Sequence, residues 1–396
     1  MGMSGIEKYY DDYLRGKGGG SIIEVDARGR VVKVVEDVIP EEGSDLYLTV
    51  EPELQEYSSS LLKDKKGTII GIDPDSGRIL ILVSYPAFDP NIFPYDLEKI
   101  KEVLNDKNYP LLNRAIQARY SPGSIFKIIV SISGIESGII DPKEKVNCSG
   151  KFFLKGIEFD CWKEEGHGDV DFINGFKHSC NVYFYNMGLK IGAKTISDFA
   201  NYIGITLKSG IDLPQELKGF VPSPSWKRKE KKYPWLPGDT VNLSIGQGYT
   251  LLTPIEVALL GCSIATKGYI YRSFLVEKIV SNDGKVIFEN DPEIIHSFEL
   301  KEKTWKLIYT AMRKVVEEGT ARYCNIKGLK IFGKTGTTQN PQGEPHSWFL
   351  SFNEGKRRMV LLVFVENGGM GAEAAVPIAR RIWKFFKEHF VKDEKV

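Results

Sequence analysis

Residues 113–133 read NRAIQARYSPGSIFKIIVSIS, and the rest of the chain is read outward from this stretch. Ser124 and Lys127 stand three apart, directly after a Ser121-Pro122-Gly123 turn and at the head of an apolar run. The Pro-Gly pair predicts a helix start, and Ile125 to Ile132 predicts a buried helix. Residues i and i+3 share a helix face, which predicts that the Lys127 amine reaches the Ser124 hydroxyl. At a helix N-terminus that hydroxyl also faces unpaired backbone N–H groups, which favour developing negative charge. A serine made nucleophilic by a desolvated lysine asks for this spacing and this burial. Ser-x-x-Lys is common by chance, so its weight depends on partners elsewhere in the chain.

Upstream, Ile6 to Leu14 predicts a short amphipathic helix closed by a glycine-rich stretch, and Ile22 to Glu36 a hairpin around Asp26-Ala-Arg-Gly29. Leu46 to Val50 predicts a strand and Pro52 to Leu62 a helix. Lys66 to Pro86 predicts a second hairpin whose arms, Thr68–Ile72 and Ile79–Val83, are nearly continuous apolar runs, so its sheet is expected to be covered on both faces. Residues 87–112 read as a Pro- and Asn-rich loop. Downstream, the pattern is helical over 182–203, 250–266 and 304–318, with a Pro-, Trp- and Lys-rich loop at 222–239. The chain then closes with strands over 330–335, 347–352 and 358–366 and a helix over 374–389. Strands at both ends with helices between them predict an α+β fold in which N- and C-terminal strands share one sheet.

The chain has 396 residues, 42% of them hydrophobic and 27% charged, the balance of an ordinary globular protein of one large domain with appendages. A net charge of +1, with no arginine-rich or aromatic-interleaved stripe, argues against nucleic acid as a partner. The run Lys227-Arg228-Lys229-Glu230-Lys231-Lys232 reads as a solvated loop, with contact to anionic lipid or glycan as the alternative. No apolar stretch of about 18 residues is present, so none is expected to span a membrane, and no signal peptide is evident. The start, Met1-Gly2-Met3-Ser4, runs abruptly into a helical pattern, as if an anchor had been removed.

Two further triplets join Ser124 and Lys127. Ser179-Cys180-Asn181 precedes a helical run and offers a hydroxyl to relay a proton and an amide to hold a substrate. Lys334-Thr335-Gly336-Thr337 follows an apolar strand. Lys334 and Thr335 suit an anionic carboxylate, Gly336 lets a substrate backbone approach, and a backbone N–H beside Ser124 completes an oxyanion hole. The three triplets, in this order, are the pattern of serine β-lactamases and penicillin-binding proteins.

On these residues the chain resembles the class B penicillin-binding proteins, most closely the elongation type, penicillin-binding protein 2. The likeness runs through GIEKYYDDYLRGK at 5–17, EVDARGRVV at 24–32, FDPNIF at 88–93, NRAIQARYSPGSIFK at 113–127, GHG at 166–168, GDTVNLSIGQGY at 238–249, GKTGTTQ at 333–339 and HSWFLSF at 346–352. It implies the transpeptidase fold shared with serine β-lactamases, an antiparallel sheet flanked by helices, over residues 46–396. It also implies that residues 1–45 are the last part of a non-catalytic pedestal domain. The implied activity is D,D-transpeptidation of peptidoglycan stem peptides in cell elongation and rod-shape maintenance, with no cofactor for catalysis.

In that reading Ser124 attacks the D-Ala-D-Ala carbonyl, Lys127 is the general base, and Ser179 and Asn181 assist proton transfer and substrate placement. Lys334 and Thr335 bind the carboxylate, and the N–H groups of Ser124 and Thr337 form the oxyanion hole. β-Lactams acylate the same serine, and an amine on a neighbouring strand accepts the acyl group. The resemblance further implies a cell inner-membrane protein with a periplasmic catalytic domain, partnered by a membrane-embedded glycan polymerase. The chain departs from the family pattern at Ser121 and Ile125, where proline and threonine are usual.

Five cysteines cannot all pair with one another. Cys148, Cys161, His167 and Cys180 fall within 33 residues, spaced Cys-x12-Cys-x5-His-x12-Cys. Three thiolates and an imidazole suit a tetrahedral structural zinc ion, which would brace Ser179 and Asn181 from behind. The alternative is a Cys148–Cys161 disulfide, favoured by an oxidising compartment. Cys262 and Cys324 read as buried thiols, and His346, Tyr120 and Trp348 as packing residues.

The rival functions are a serine β-lactamase or D,D-carboxypeptidase, and a non-catalytic β-lactam sensor or scaffold. Fast hydrolysis needs a water-activating base. The nearest sequence to the Glu-x-x-Leu-Asn of class A lactamases is Glu102-Val-Leu-Asn105, one residue short and ahead of the nucleophile, so slow deacylation is expected.

Overall fold

The computed structural model describes residues 2–93, 95–340 and 343–391. Its centre is a five-stranded antiparallel sheet of β1 (Lys66–Ile72), β2 (Ile79–Tyr85), β3 (Ile331–Asn340), β4 (Gly343–Asn353) and β5 (Val360–Glu366). The spatial order is β3-β4-β5-β1-β2, so strands from the two ends of the chain do meet, through β5 and β1. The near-continuous apolar composition of β1 and β5 follows from cover on both faces. Helix α4 (Pro254–Ala265) packs on one face, and the C-terminal helix α6 (Ala375–Phe390) with the helix Pro52–Leu61 on the other. All twelve residues of α4 are buried. Thr253 and Glu256 start it with a capping box, and Glu256 also accepts the Gly219 N–H at 2.6 Å.

Against this sheet lies a helical layer containing α1 (Lys127–Glu136), α2 (Asn181–Ile191), α3 (Pro237–Ser244) and α5 (Glu302–Glu317). The helical pattern over 182–203 resolves into two helices, because Gly192 at φ 82° breaks it before Ala193–Tyr202. Inside the expected loop 87–112 a helix forms at Leu97–Asn105, capped by Asp96 and with none of its residues buried. Glu102 lies on this exposed helix.

At the N-terminus the amphipathic stretch forms two short helices, Gly5–Tyr9 and Asp11–Leu14, and the hairpin pairs Gly20–Val25 with Val31–Val38. Every residue of its two strands is exposed. Tyr10 attaches this region to the body. Its hydroxyl donates to Asp212 Oδ2 at 2.8 Å, and the same carboxylate accepts the N–H groups of Leu275 and Val276. No helix among the described residues is long and apolar enough to cross a membrane.

Candidate active site

Ser124 sits on a 3₁₀ turn, Gly123–Phe126, that runs directly into α1 at Lys127. The Lys127 ammonium is fully buried and donates to the Ser179 carbonyl at 2.8 Å, to Asn181 Oδ1 at 2.7 Å and to Ser179 Oγ at 3.3 Å. It makes no hydrogen bond to Ser124, contrary to the i,i+3 expectation, because those three acceptors from the next motif take its three donors. Lys334 on β3 is likewise fully buried and donates to Ser179 Oγ at 2.8 Å and to the Thr335 carbonyl at 3.1 Å. Both lysines therefore converge on one hydroxyl. Burial pushes Lys127 down to about 8. It drives Lys334 well below the ordinary lysine range, with the neighbouring Lys127 charge adding to the effect. Ser179 itself holds φ 53°, a left-handed conformation that costs a non-glycine residue energy and is characteristic of functional turns.

The edge strand β3 runs beside the nucleophile turn. A Cβ placed on Gly123 would lie 2.6 Å from the Thr337 carbonyl oxygen, so that carbonyl faces the turn and not β4. In a strand the N–H and C=O of one residue point to the same edge, so the Thr337 N–H also faces the turn. The N–H and the hydroxyl of Ser124 have no hydrogen-bond partner among the described residues. Two N–H groups are thus free to converge on one oxygen. The Thr335 hydroxyl meets that of Thr320 at 2.6 Å, and the Thr337 hydroxyl accepts the Gly371 N–H at 3.1 Å. The space that glycine leaves at Gly336 is bounded by Ile125, Trp348 and the Pro122 carbonyl, so a side chain there would press β3 away from the nucleophile turn.

The four candidate metal ligands come together. One donor atom from each of Cys148, Cys161, His167 and Cys180 lies within 4.8 Å of all the others. His167 Nδ1 is 3.6 Å from Cys148 Sγ and 3.5 Å from Cys161 Sγ. A zinc ion at its usual distances from sulfur and nitrogen, with tetrahedral angles, separates those two ligand types by about 3.5 Å. All five cysteines are free thiols. A hydrogen bond from Cys180, then one from His167, lowers the Cys161 thiol, and the same Cys161–Cys180 bond raises Cys180. Cys262 and Cys324 are buried thiols raised by desolvation. His346 accepts the Asn367 N–H at 3.1 Å and packs against Tyr120, and Trp348 is fully buried.

The profile of the penicillin-binding protein transpeptidase domain matches residues 67–384. The chain belongs to this family. The profile of the penicillin-binding protein dimerisation domain matches residues 1–48. The chain is 33% identical over 398 residues to the peptidoglycan D,D-transpeptidase MrdA of Acinetobacter baumannii, covering 95% of this chain and 59% of that protein. It is 34% identical over 346 residues to MrdA of Escherichia coli K12, covering 86% of this chain and 54% of that protein. Its fold matches the crystal structure of Pseudomonas aeruginosa penicillin-binding protein 2 in complex with WCK 5153, with a TM-score of 0.83 and 30% identity over 100% of this chain and 85% of that one. It also matches the Helicobacter pylori penicillin-binding protein 2 in its complex with MreC, with a TM-score of 0.84 and 29% identity over 98% of this chain and 73% of that one. The observed antiparallel sheet flanked by helices is accordingly the penicillin-binding transpeptidase fold.

Three contacts that shape the site of this transpeptidase-family chain were not legible in the sequence. Thr320 orients the Thr335 hydroxyl, Thr338 holds the Ser121 carbonyl at 2.8 Å, and Gly246 accepts the Gly123 N–H at 3.1 Å. Gly123 has φ 53°, and a Cβ there would also lie 2.6 Å from Thr338 Oγ1. Gly123→Ala is therefore expected to displace the nucleophile turn and slow acylation by a penicillin about a hundredfold. The acylation rate constant reads this, with a melting curve to separate displacement from unfolding.

Proposed function

We propose that this chain is the catalytic part of a peptidoglycan D,D-transpeptidase that cross-links stem peptides through an acyl-enzyme on Ser124, in service of cell elongation and rod shape. The observation that supports this reading best is the convergence of two desolvated lysines on Ser179 Oγ, beside a serine whose own N–H and hydroxyl are free. Lys127, as free amine, takes the Ser124 proton while Oγ attacks the carbonyl carbon of the penultimate D-Ala. The N–H groups of Ser124 and Thr337 stabilise the oxyanion. The C–N bond to the terminal D-Ala then breaks, and its nitrogen leaves with the proton relayed through Lys127 and Ser179. In the second half the amine of a neighbouring strand attacks the ester, gives up a proton, and Ser124 Oγ recovers one. Lys334 and Thr335 hold the terminal carboxylate, Asn181 places the substrate amide, and the chemistry asks for no cofactor. A β-lactam enters the same path and stops at the ester.

By likeness to its relatives we place the catalytic domain, residues 46–396, outside the cytoplasm on the inner membrane, with residues 1–45 as the end of the pedestal. The solved complex of penicillin-binding protein 2 with MreC and the peptidoglycan synthase complex that coordinates polymerisation and crosslinking support an MreC-like protein and a membrane-embedded glycan polymerase as partners. We further propose a structural Zn²⁺ held by Cys148, Cys161, His167 and Cys180. Its part is to fix the Ser179-Cys180-Asn181 turn on which Lys127 depends. Incubation with a peptide ending in D-Ala-D-Ala and an amine acceptor tests the function. Stoichiometric release of D-Ala with formation of the amide is expected, and release of D-Ala to water alone would make the chain a carboxypeptidase.

A further inference from the structure

The loop that leads into α3 gathers cations of which three, Arg228, Lys231 and Lys232, have no ion pair among the described residues. Residues 227–231 form a single π turn, ended by Lys232 at φ 62°. Lys227 is buried and paired with Asp239 at 2.5 Å, which anchors the turn. Lys229 meets only Glu230, at 3.9 Å. Most cations around the groove between α5 and β3, Lys306 apart, behave differently. There Lys267, Arg313, Lys314 and Lys330 are answered by Glu302, Glu317, Glu318 and Glu354. Like charges held together without counter-charges repel one another, and a chain of net charge +1 has no general excess to explain the cluster.

The loop is also held firmly. Ser223 caps the preceding turn, Trp226 packs on Phe220 and Tyr249 with centroids 4.6 and 5.2 Å apart, and Lys231 lies over both the Trp226 and Tyr249 rings at 5.9 and 5.7 Å. This aromatic base is tied to the nucleophile. Phe220 exchanges backbone hydrogen bonds with Leu251, and Tyr120, four residues before Ser124, does so with Leu252. Tyr249 also follows Gly246, which holds Gly123. Gly123 thus touches β3 through Thr337 and the 246–249 segment through Gly246. The cationic loop belongs to the second of these walls.

Resting on the transpeptidase reading, in which β3 takes the donor, we propose that Arg228, Lys229, Lys231 and Lys232 form the docking site for the incoming acceptor, and that they recognise carboxylates flanking its amine. Rigid, uncompensated cations supply a preorganised field that draws a dicarboxylate peptide towards the acyl-enzyme. The backbone ties that run from this loop through Leu251, Leu252 and Gly246 to the segment carrying Ser124 favour a substrate peptide over a lipid surface.

The test uses the whole chain with Arg228→Gln, Lys229→Gln, Lys231→Gln and Lys232→Gln combined, and a second variant with only Lys229→Gln and Lys232→Gln, neither of which packs on a ring. The probes are N-acetyl-γ-glutamyl-lysine, an amine with two carboxylates, and its diamide, the same amine without them. With a D-Ala-D-Ala peptide as donor, KM for the dicarboxylate acceptor is expected to rise about tenfold in the fourfold variant and less in the double variant. KM for the diamide and the rate of acylation by penicillin are expected to stay within twofold, and raised salt is expected to narrow the difference. Direct titration of the dicarboxylate peptide onto unacylated protein should show the same loss, and it reads the docking site even if the chain transfers acyl groups to no amine. An unchanged KM and affinity for the dicarboxylate, or an equal rise for both acceptors, would overturn the proposal. So would loss of binding to phosphatidylglycerol vesicles with unchanged acceptor kinetics, which would make the loop a lipid contact. Failure of the wild type to be acylated by penicillin would sink the transpeptidase reading separately.

Discussion

Lys127→Met is expected to slow acylation of Ser124 by about a thousandfold while leaving the protein folded. Methionine matches the length of the lysine stem and removes a charge from a site with no solvent access. The Ser179 carbonyl and Asn181 Oδ1 lose their donor, which costs about 1–3 kcal/mol, but the penalty of burying an ammonium disappears with it. The base is lost and the core is not. The wild-type pH dependence follows from the same side chain. Burial depresses Lys127 from the ordinary lysine value to about 8, so the ammonium still predominates at pH 7 and the free amine grows with pH up to that value. Acylation should therefore rise tenfold per pH unit on the acid side and level off above about pH 8, lying about a hundredfold below the plateau at pH 6. In Lys127→Met this limb should vanish. Stopped-flow acylation across pH 6–9 checks both statements, and a variant that kept the wild-type rate and profile would move the base role to Lys334.

Loss of the proposed zinc ion is expected to carry the second large effect. Purified protein is expected to hold one zinc ion per chain by native mass spectrometry, and a strong chelator or Cys161→Ser to lower the melting temperature by roughly 10 °C. Stripped of the ion, three thiols and an imidazole would stay buried in one another's reach with nothing to organise them. The consequence reaches the chemistry because Cys180 lies between Ser179 and Asn181, which together supply every hydrogen-bond acceptor of the Lys127 ammonium. Acylation should slow about a hundredfold on metal loss and recover when zinc is restored. A metal-free preparation with a two-hydrogen mass deficit would instead establish the Cys148–Cys161 disulfide.

What the sequence revealed depended on how local each cause was. The hairpin 66–86 and helix α4 were legible because apolar runs between turn signals specify them directly. The shared sheet followed from strands lying at both ends of the chain. The helix Leu97–Asn105 was not, since no residue in it is buried and only a local cap at Asp96 marks it. The three candidate triplets could be found because each is compact in sequence. The partner of each side chain could not. Local spacing pointed Lys127 at Ser124, but its acceptors lie 52 and 54 residues away, and the approach of Gly246 to Gly123 leaves no local trace at all. The basic run 227–232 read as a solvated loop, and only the structure separates its paired lysine from its unpaired ones.

The most direct test of the account is the intact mass of the protein followed for hours after mixing with a penicillin, beside Ser124→Ala. The account predicts a single adduct that persists in the wild type and never forms in the variant. An adduct that formed and then returned quickly to the starting mass would make the chain a β-lactamase. No adduct, or an adduct on Ser124→Ala, would contradict the assignment of Ser124 as the acylated nucleophile.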